Sequence, residues 1–144
     1  MKVFVLNGPN LNLLGEREPE VYGTTTLADI EKMVKRRAED LKAEVEFRQT
    51  NHEGVLVDWL QEARRHADGV VLNPAALSHY SLAVRDAVVA CGIPVVEVHL
   101  SNILGREPWR AKSVVSGVAA GVIVGLGPLG YVRALEALVA ILES

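Results

Sequence analysis

The 144-residue chain has a single cysteine, two methionines and 5% aromatic residues, and its charges nearly cancel at −3. One cysteine, Cys91, excludes a disulfide within the chain and suits a reducing compartment. Its expected role is that of a small buried hydrophobe. The near balance of acids and bases argues against an extended surface for nucleic acid or other polyanions. The basic clusters Lys35-Arg36-Arg37 and Arg64-Arg65-His66 fall within helical patterns and read as solvated faces. No apolar run approaches the roughly 20 residues of a bilayer span. The longest greasy stretch, Val114 to Val132, is broken by Ser116, glycines and Pro128. Met1-Lys2 leads into a short apolar run that stops at Asn7, too brief for a signal peptide. A cytoplasmic protein without a membrane or nucleic-acid partner is expected.

What is present is a regular alternation. Five apolar bursts recur: KVFVLN (2–7), AEVEFRQ (43–49), GVVLNP (69–74), PVVEVHL (94–100) and AAGVIVGLG (119–127). Four are near-continuous, as befits strands of a parallel sheet covered on both faces; AEVEFRQ alternates and belongs at an edge. Helical periods fall between them. TLADIEKMVKRRAEDL (26–41) puts Leu27, Ile30, Val34, Ala38 and Leu41 on one stripe behind Thr26 as N-cap. Segments 54–67 and 81–92 behave alike, Gly92 stopping the latter, and 130–144 closes the chain as an apolar helix. Strand and helix alternating in this way predict one domain over 1–144, an α/β three-layer sandwich with right-handed crossovers. Five strands favour the flavodoxin-like order 2-1-3-4-5, and a chain of this size needs no disulfide or metal staple.

That architecture locates a ligand site beyond the carboxyl ends of the strands, at the switch point between strands 1 and 3. The strand ends read Asn7-Gly8-Pro9-Asn10, Asn73-Pro74-Ala75-Ala76 and Glu97-Val98-His99-Leu100-Ser101. Other motifs fall away. GLGPLG (125–130) matches a dinucleotide fingerprint, but that site needs an acid on a further strand, and the remaining chain is too short to supply one. A tight strand-to-helix turn explains it. No phosphate loop follows strand 1. Of the four histidines, none has metal-ligand spacing; His66 reads as surface and His52 as an unassigned loop residue. Neither metal nor cofactor is expected.

Glu97 and His99 lie two apart on a strand and share a face. A carboxylate beside an imidazole orients it and raises its pKa, making a general acid usable near neutrality. The opening loop supplies a tyrosine, Tyr22, five residues after Arg17, on a segment with no apolar period. Loops over a switch point are where lids are drawn from, and here Pro19 would stiffen the lid while Gly15 and Gly23 serve as hinges.

The strings GPNLNLLGEREPEVYGTTTLADI, NHEG, NPAALSHYSLAVRDA, EVHLSNILGREPWR and GLGPLGY together resemble the type II 3-dehydroquinate dehydratases, nearly end to end and in order. The resemblance implies a flavodoxin-like subunit assembled as trimers stacked into a dodecamer. It also implies cofactor-free anti elimination of water from 3-dehydroquinate, giving 3-dehydroshikimate. Carried over by position, Tyr22 becomes the base for the C2 proton, with Arg17 on the same lid and Arg110 approaching from the REPWR segment. Asn10 would hold the water that steadies the enolate. His99 would protonate the departing hydroxyl, oriented by Glu97. Asn73, Ser101 and the backbone near Leu100 and Ser101 would grip the carboxylate. His79 and Arg110 would read the ring hydroxyls, and Asp86 would reach a neighbouring subunit's site.

The chemistry is consistent with those roles. A free tyrosine titrates near pH 10, and a guanidinium about 4 Å away at an effective dielectric near 20 contributes about 4 kcal/mol toward phenolate. Burial opposes the anion, so two arginines serve better than one. Ala75 and Ala76 stand where the family usually has at least one glycine, Leu104 replaces a frequent histidine, and RAKS follows Trp109 where a histidine is common. Two other readings compete: a non-catalytic flavodoxin-like binding module, and dehydration through a lysine Schiff base.

Overall fold

The computed structural model describes the backbone of residues 1–144 and the side chains of all residues except Val21 and Tyr22. Five strands form one parallel sheet of order β2-β1-β3-β4-β5, the expected flavodoxin-like arrangement: β1 (Lys2–Asn7), β2 (Glu44–Gln49), β3 (Gly69–Asn73), β4 (Val95–His99) and β5 (Gly121–Val124). Side chains alternate across the pleat, so the hydrophobic strands feed two cores. Val3, Val5, Val71, Val96 and Val98 face α2 (Leu27–Asp40) and α5 (Leu129–Glu143). Phe4, Leu6, Val70, Leu72 and Val95 face α3 (Glu53–His66) and α4 (Leu82–Cys91). β2 has no fully buried residue, as its alternating pattern and edge position require.

The helix ends follow local chemistry. Thr26 caps α2, its hydroxyl accepting from the Asp29 amide while the Asp29 carboxylate accepts from the Thr26 amide; reciprocal capping of this kind satisfies two otherwise orphaned donors. On the stripe, Ile30, Val34 and Ala38 are buried, with Leu27 and Leu41 packed at the margin. Gly92 ends α4 in the left-handed conformation at φ 68°, which glycine adopts without a Cβ penalty. Cys91 is buried with its thiol donating to the Val88 carbonyl. Arg37 departs from the solvated-face reading: its Nε meets Glu136 on α5 at 2.8 Å and ties two helices together. Among the described residues no helix is long and apolar enough to cross a membrane.

Two features go beyond the sequence reading. First, β4 and β5 are joined without an α-helix. Three short 3-10 turns, Ile103–Gly105, Pro108–Arg110 and Ser116–Val118, take its place, because Gly105, Pro108 and Gly117 interrupt any helical run and no apolar stripe spans the segment. Second, the opening loop is not wholly irregular: it forms a 3-10 turn at Leu11–Leu13 and a one-turn helix α1 (Pro19–Tyr22). Gly15 and Gly23, at φ 90° and 77°, bracket that helix. The GLGPLG segment is the tight turn expected. Gly125 and Gly127 are left-handed, and the Gly127 amide donates to the Leu100 carbonyl at 2.9 Å rather than facing a phosphate.

The loops after β1 and β3 run in contact where they leave the sheet. Gly8 donates to the Asn73 carbonyl at 2.8 Å, and a Cβ on Gly8 would lie 2.6 Å from the Pro74 carbonyl oxygen. Backbone on both sides leaves no flexible atom to move. Gly8→Ala is therefore expected to destabilise the protein by about 1–3 kcal/mol, read as a lowered urea midpoint with unchanged m-value.

Candidate active site

A pocket opens at the carboxyl ends of β1, β3 and β4, enclosing about 760 Å³ with its mouth. Asn10, Arg17, Asn73, His79, His99, Leu100, Ser101 and Arg110 all line it, so eight residues expected from the sequence converge there. Glu97 lies behind His99 with no solvent exposure. Tyr22 closes α1, but its side chain lies outside the described residues. Asp86 is not brought to this pocket; it sits exposed on α4. His52 stands at the N-cap of α3 without a side-chain cap bond, and His66 is exposed.

The end of β2 holds the first loop in place. Asn51 Oδ1 accepts from the Asn10 amide at 3.0 Å and from Gln49 Nε2 at 3.0 Å, and Gln49 Nε2 also reaches the Gly8 carbonyl. Asn10 is thereby kept in a left-handed conformation at φ 70°, which asparagine tolerates better than most residues. Deeper in, Asn73 Nδ2 donates to the Tyr131 hydroxyl at 2.8 Å, which donates on to Asn7 Oδ1 at 2.7 Å. Asn73 Oδ1 accepts from the Ala75 amide, so the carboxamide's orientation is set and one amide hydrogen is left for a ligand. Burial pushes the Tyr131 phenol well above its ordinary value, which removes it as a proton acceptor. Ala75 occupies the left-handed region at φ 53°, the position where the loop would favour glycine.

His99 Nε2 lies 2.5 Å from Glu97 Oε2, leaving Nδ1 as the ring nitrogen without that partner. Burial alone would raise the Glu97 carboxyl, but bonds from His99, Ser116 and Ser113 outweigh it and hold the group below the usual carboxylate range. The carboxylate therefore persists although Glu97 has no solvent exposure. His79 Nδ1 is 2.7 Å from the Lys112 carbonyl and so carries the hydrogen there, with its ring edge-on to Trp109 at 5.7 Å.

Among the described residues, three guanidinium groups and no acidic residue line the pocket. Arg17 pairs with Glu18 at 2.8 Å at the rim. Arg110 stacks 4.1 Å over Trp109, and its Nε is 2.7 Å from Glu107 at an angle that makes no hydrogen bond. Arg106, whose Nη1 reaches the Ser101 hydroxyl at 3.3 Å, is a residue that the sequence reading missed. Its proximity to Arg110 in REPWR was the available signal. Leu11, Leu14, Ile103 and Trp109 add apolar walls that no motif singled out. None of the described lining residues is a lysine, which leaves a Schiff base without its amine. An electropositive, half-apolar pocket backed by a carboxylate–imidazole pair suits a small hydroxylated carboxylate and proton transfer to or from it.

The family model "Dehydroquinase class II" matches residues 1–139. A protein of Agrobacterium fabrum, "3-dehydroquinate dehydratase 1", is 60% identical over 136 residues, covering 94% of each chain. A "Catabolic 3-dehydroquinase 1" of Aspergillus terreus is 55% identical, over 93% of this chain and 88% of the other. Among solved structures, the type II dehydroquinase of Propionibacterium acnes superimposes with a TM-score of 0.93 at 46% identity, covering 96% of both chains.

The Glu97 carboxyl predicts an acid-side signature. Its folded value lies below its ordinary 4.5, so the unfolded chain binds the proton first and stability rises with pH through that window. This contribution is complete above 4.5 and is lost as pH falls through the folded value. Unfolding free energies of wild type and Glu97→Gln, measured from roughly pH 3 to 7, should show a shallower acid-side slope in the variant.

Proposed function

The chain belongs to the class II dehydroquinase family and is a 3-dehydroquinate dehydratase of the shikimate pathway, and from that premise we propose how this pocket removes water from its substrate. Tyr22, as phenolate, takes the C2 proton of 3-dehydroquinate and leaves an enolate. His99 then gives a proton from Nδ1 to the departing C1 hydroxyl, which leaves as water on the opposite face. The product is 3-dehydroshikimate. Solvent returns the proton from Tyr22 to His99 and closes the cycle.

The observation that carries this reading is the grouping of Arg17, Arg106 and Arg110 around one cavity with a carboxylate-backed imidazole at its floor. Positive charge favours both the phenolate and the anionic substrate. Of the other two tyrosines, Tyr80 is exposed and Tyr131 is buried and held neutral, so neither competes with Tyr22 for the base. Asn10 holds the water that steadies the enolate oxygen. Asn73, Ser101 and the backbone near Leu100 bind the carboxylate, and His79 and Arg110 read the ring hydroxyls. No step calls for a cofactor or a metal.

The reaction unit is the one domain, 1–144, acting in the cytoplasm as a homo-oligomer of trimers assembled into a dodecamer. Exposed Leu82 and Val89 on α4, with Tyr80 just before it, form an apolar border around Asp86. That border supports contact with a second copy, through which Asp86 enters the neighbour's site. Light scattering should find an assembly larger than a monomer; a fully active monomer would remove the role of Asp86.

Purified protein mixed with 3-dehydroquinate should develop the absorbance of a conjugated enone. Tyr22→Phe should lower kcat by about 10²–10⁴-fold. Arg106→Ala should move the acidic limb of the pH–rate profile upward, because losing a cation makes the phenol harder to ionise. A wild type that forms no enone ends the proposal, and a Tyr22→Phe variant at full rate ends this mechanism.

A further inference from the structure

The Glu97 carboxylate is held from a second direction. Ser116 Oγ donates to Oε1 at 2.5 Å, and Ser113 Oγ donates to Oε2 at 2.8 Å, the oxygen that also meets His99 Nε2. Both serines come from the irregular connection between β4 and β5, 16 and 19 residues away from Glu97. The Ser113 hydroxyl has no other use for its hydrogen. Its oxygen already accepts from the Val115 and Ser116 amides, each at 3.2 Å, so its single O–H is committed to the carboxylate. The segment is itself anchored. Val114 donates to the Ser78 carbonyl at 2.7 Å, Arg85 Nη1 donates to the Val114 carbonyl at 2.7 Å, and Val115 is fully buried.

A carboxylate with one partner can rotate about its last torsion; one with donors on both oxygens cannot do so without breaking a charge-assisted bond. The plane of Glu97 sets where the Nε2–H of His99 must point, and hence where Nδ1 faces in the pocket. We infer that Ser113 and Ser116 are positioning residues for the dehydration step, acting through Glu97 to lock the His99 ring and its tautomer. The inference rests on His99 being the proton donor to the leaving hydroxyl, as proposed above. Neither serine lines the pocket, so the pair has no direct contact with substrate through which to alter binding.

Steady-state kinetics test this. Ser116→Ala and Ser113→Ala should each lower kcat about tenfold, and the double variant roughly a hundredfold, with KM within about twofold of wild type. Ser116→Thr, which keeps the hydroxyl, should recover to within about threefold of wild type. On a Glu97→Gln background, Ser116→Ala should cost less than about twofold more, since residues acting through one partner are not additive. A merely structural pair would add in full, and full additivity or an unchanged kcat in the double variant overturns the proposal.

A second readout does not depend on turnover. In protein labelled with ¹⁵N-histidine, the His99 Nε2–H should give a downfield proton signal, assigned by its loss in His99→Gln. In the double serine variant that signal should move upfield or broaden by exchange. A signal unchanged there overturns the inference even if no enone forms with wild type, an outcome that would separately end the dehydratase reading. Circular dichroism identifies a variant that has failed to fold, and Ser113→Thr/Ser116→Thr then replaces it, with retention of the wild-type Nε2–H signal and kcat within about tenfold required.

Discussion

An ionised carboxylate with no access to water is costly, by several kcal/mol even after relaxation of its surroundings. Glu97 sits midway along β4 in that condition, and three donors offset the cost. Two of them can arrive only if the chain after β4 doubles back over the strand end. A helix there would aim its side chains along one stripe and bury its own donors in its ladder. The connection instead proceeds through short 3-10 turns that release Ser113 and Ser116 toward the carboxylate. On its way the same excursion carries Arg106, Trp109 and Arg110 to the rim. Two of the pocket's three arginines and the serines that hold Glu97 thus share one irregular segment.

A second polar device works on the other side of the pocket floor. Tyr131 sends its hydroxyl from α5 to the ends of β1 and β3, donating to Asn7 and accepting from Asn73. All three residues are buried, where unsatisfied polar groups cost about 1–3 kcal/mol each. The bridge holds two adjacent strand ends level while Gly8 lets their loops touch. Together these contacts tie the floor together, and the segment from Gly15 to Gly23 has a left-handed glycine at either end.

The left-handed Ala75 fits the same picture of a site that tolerates local strain. A non-glycine residue in that region is disfavoured by roughly 1–2 kcal/mol. It persists because the Asn73 side chain accepts from its amide and because Pro74 and the strand end fix the path into the turn. The backbone keeps a course that glycine would adopt more readily, and Ala75 lines the pocket from there.

Much of this was readable from residue order. Three continuous apolar bursts announced buried parallel strands, and the alternation in 43–49 announced one edge; the fourth burst, 119–127, instead became the other edge, where β5 has no fully buried residue. Strand count set the sheet order, because it follows from which faces must be covered. Strand ends rich in Asn, Glu and His marked the floor of the site, and the two-residue spacing of Glu97 and His99 placed them on one face. What sequence order could not supply were contacts between residues far apart along the chain. Tyr131 meets Asn7 across 124 positions, and Ser113 and Ser116 look like ordinary loop residues until the chain folds back on Glu97. Arg106 became a pocket residue, and Asp86 an exposed one, through the course of irregular backbone and the orientation of a helix. Periodicity reports which way a side chain leaves its own element; only packing establishes what it meets.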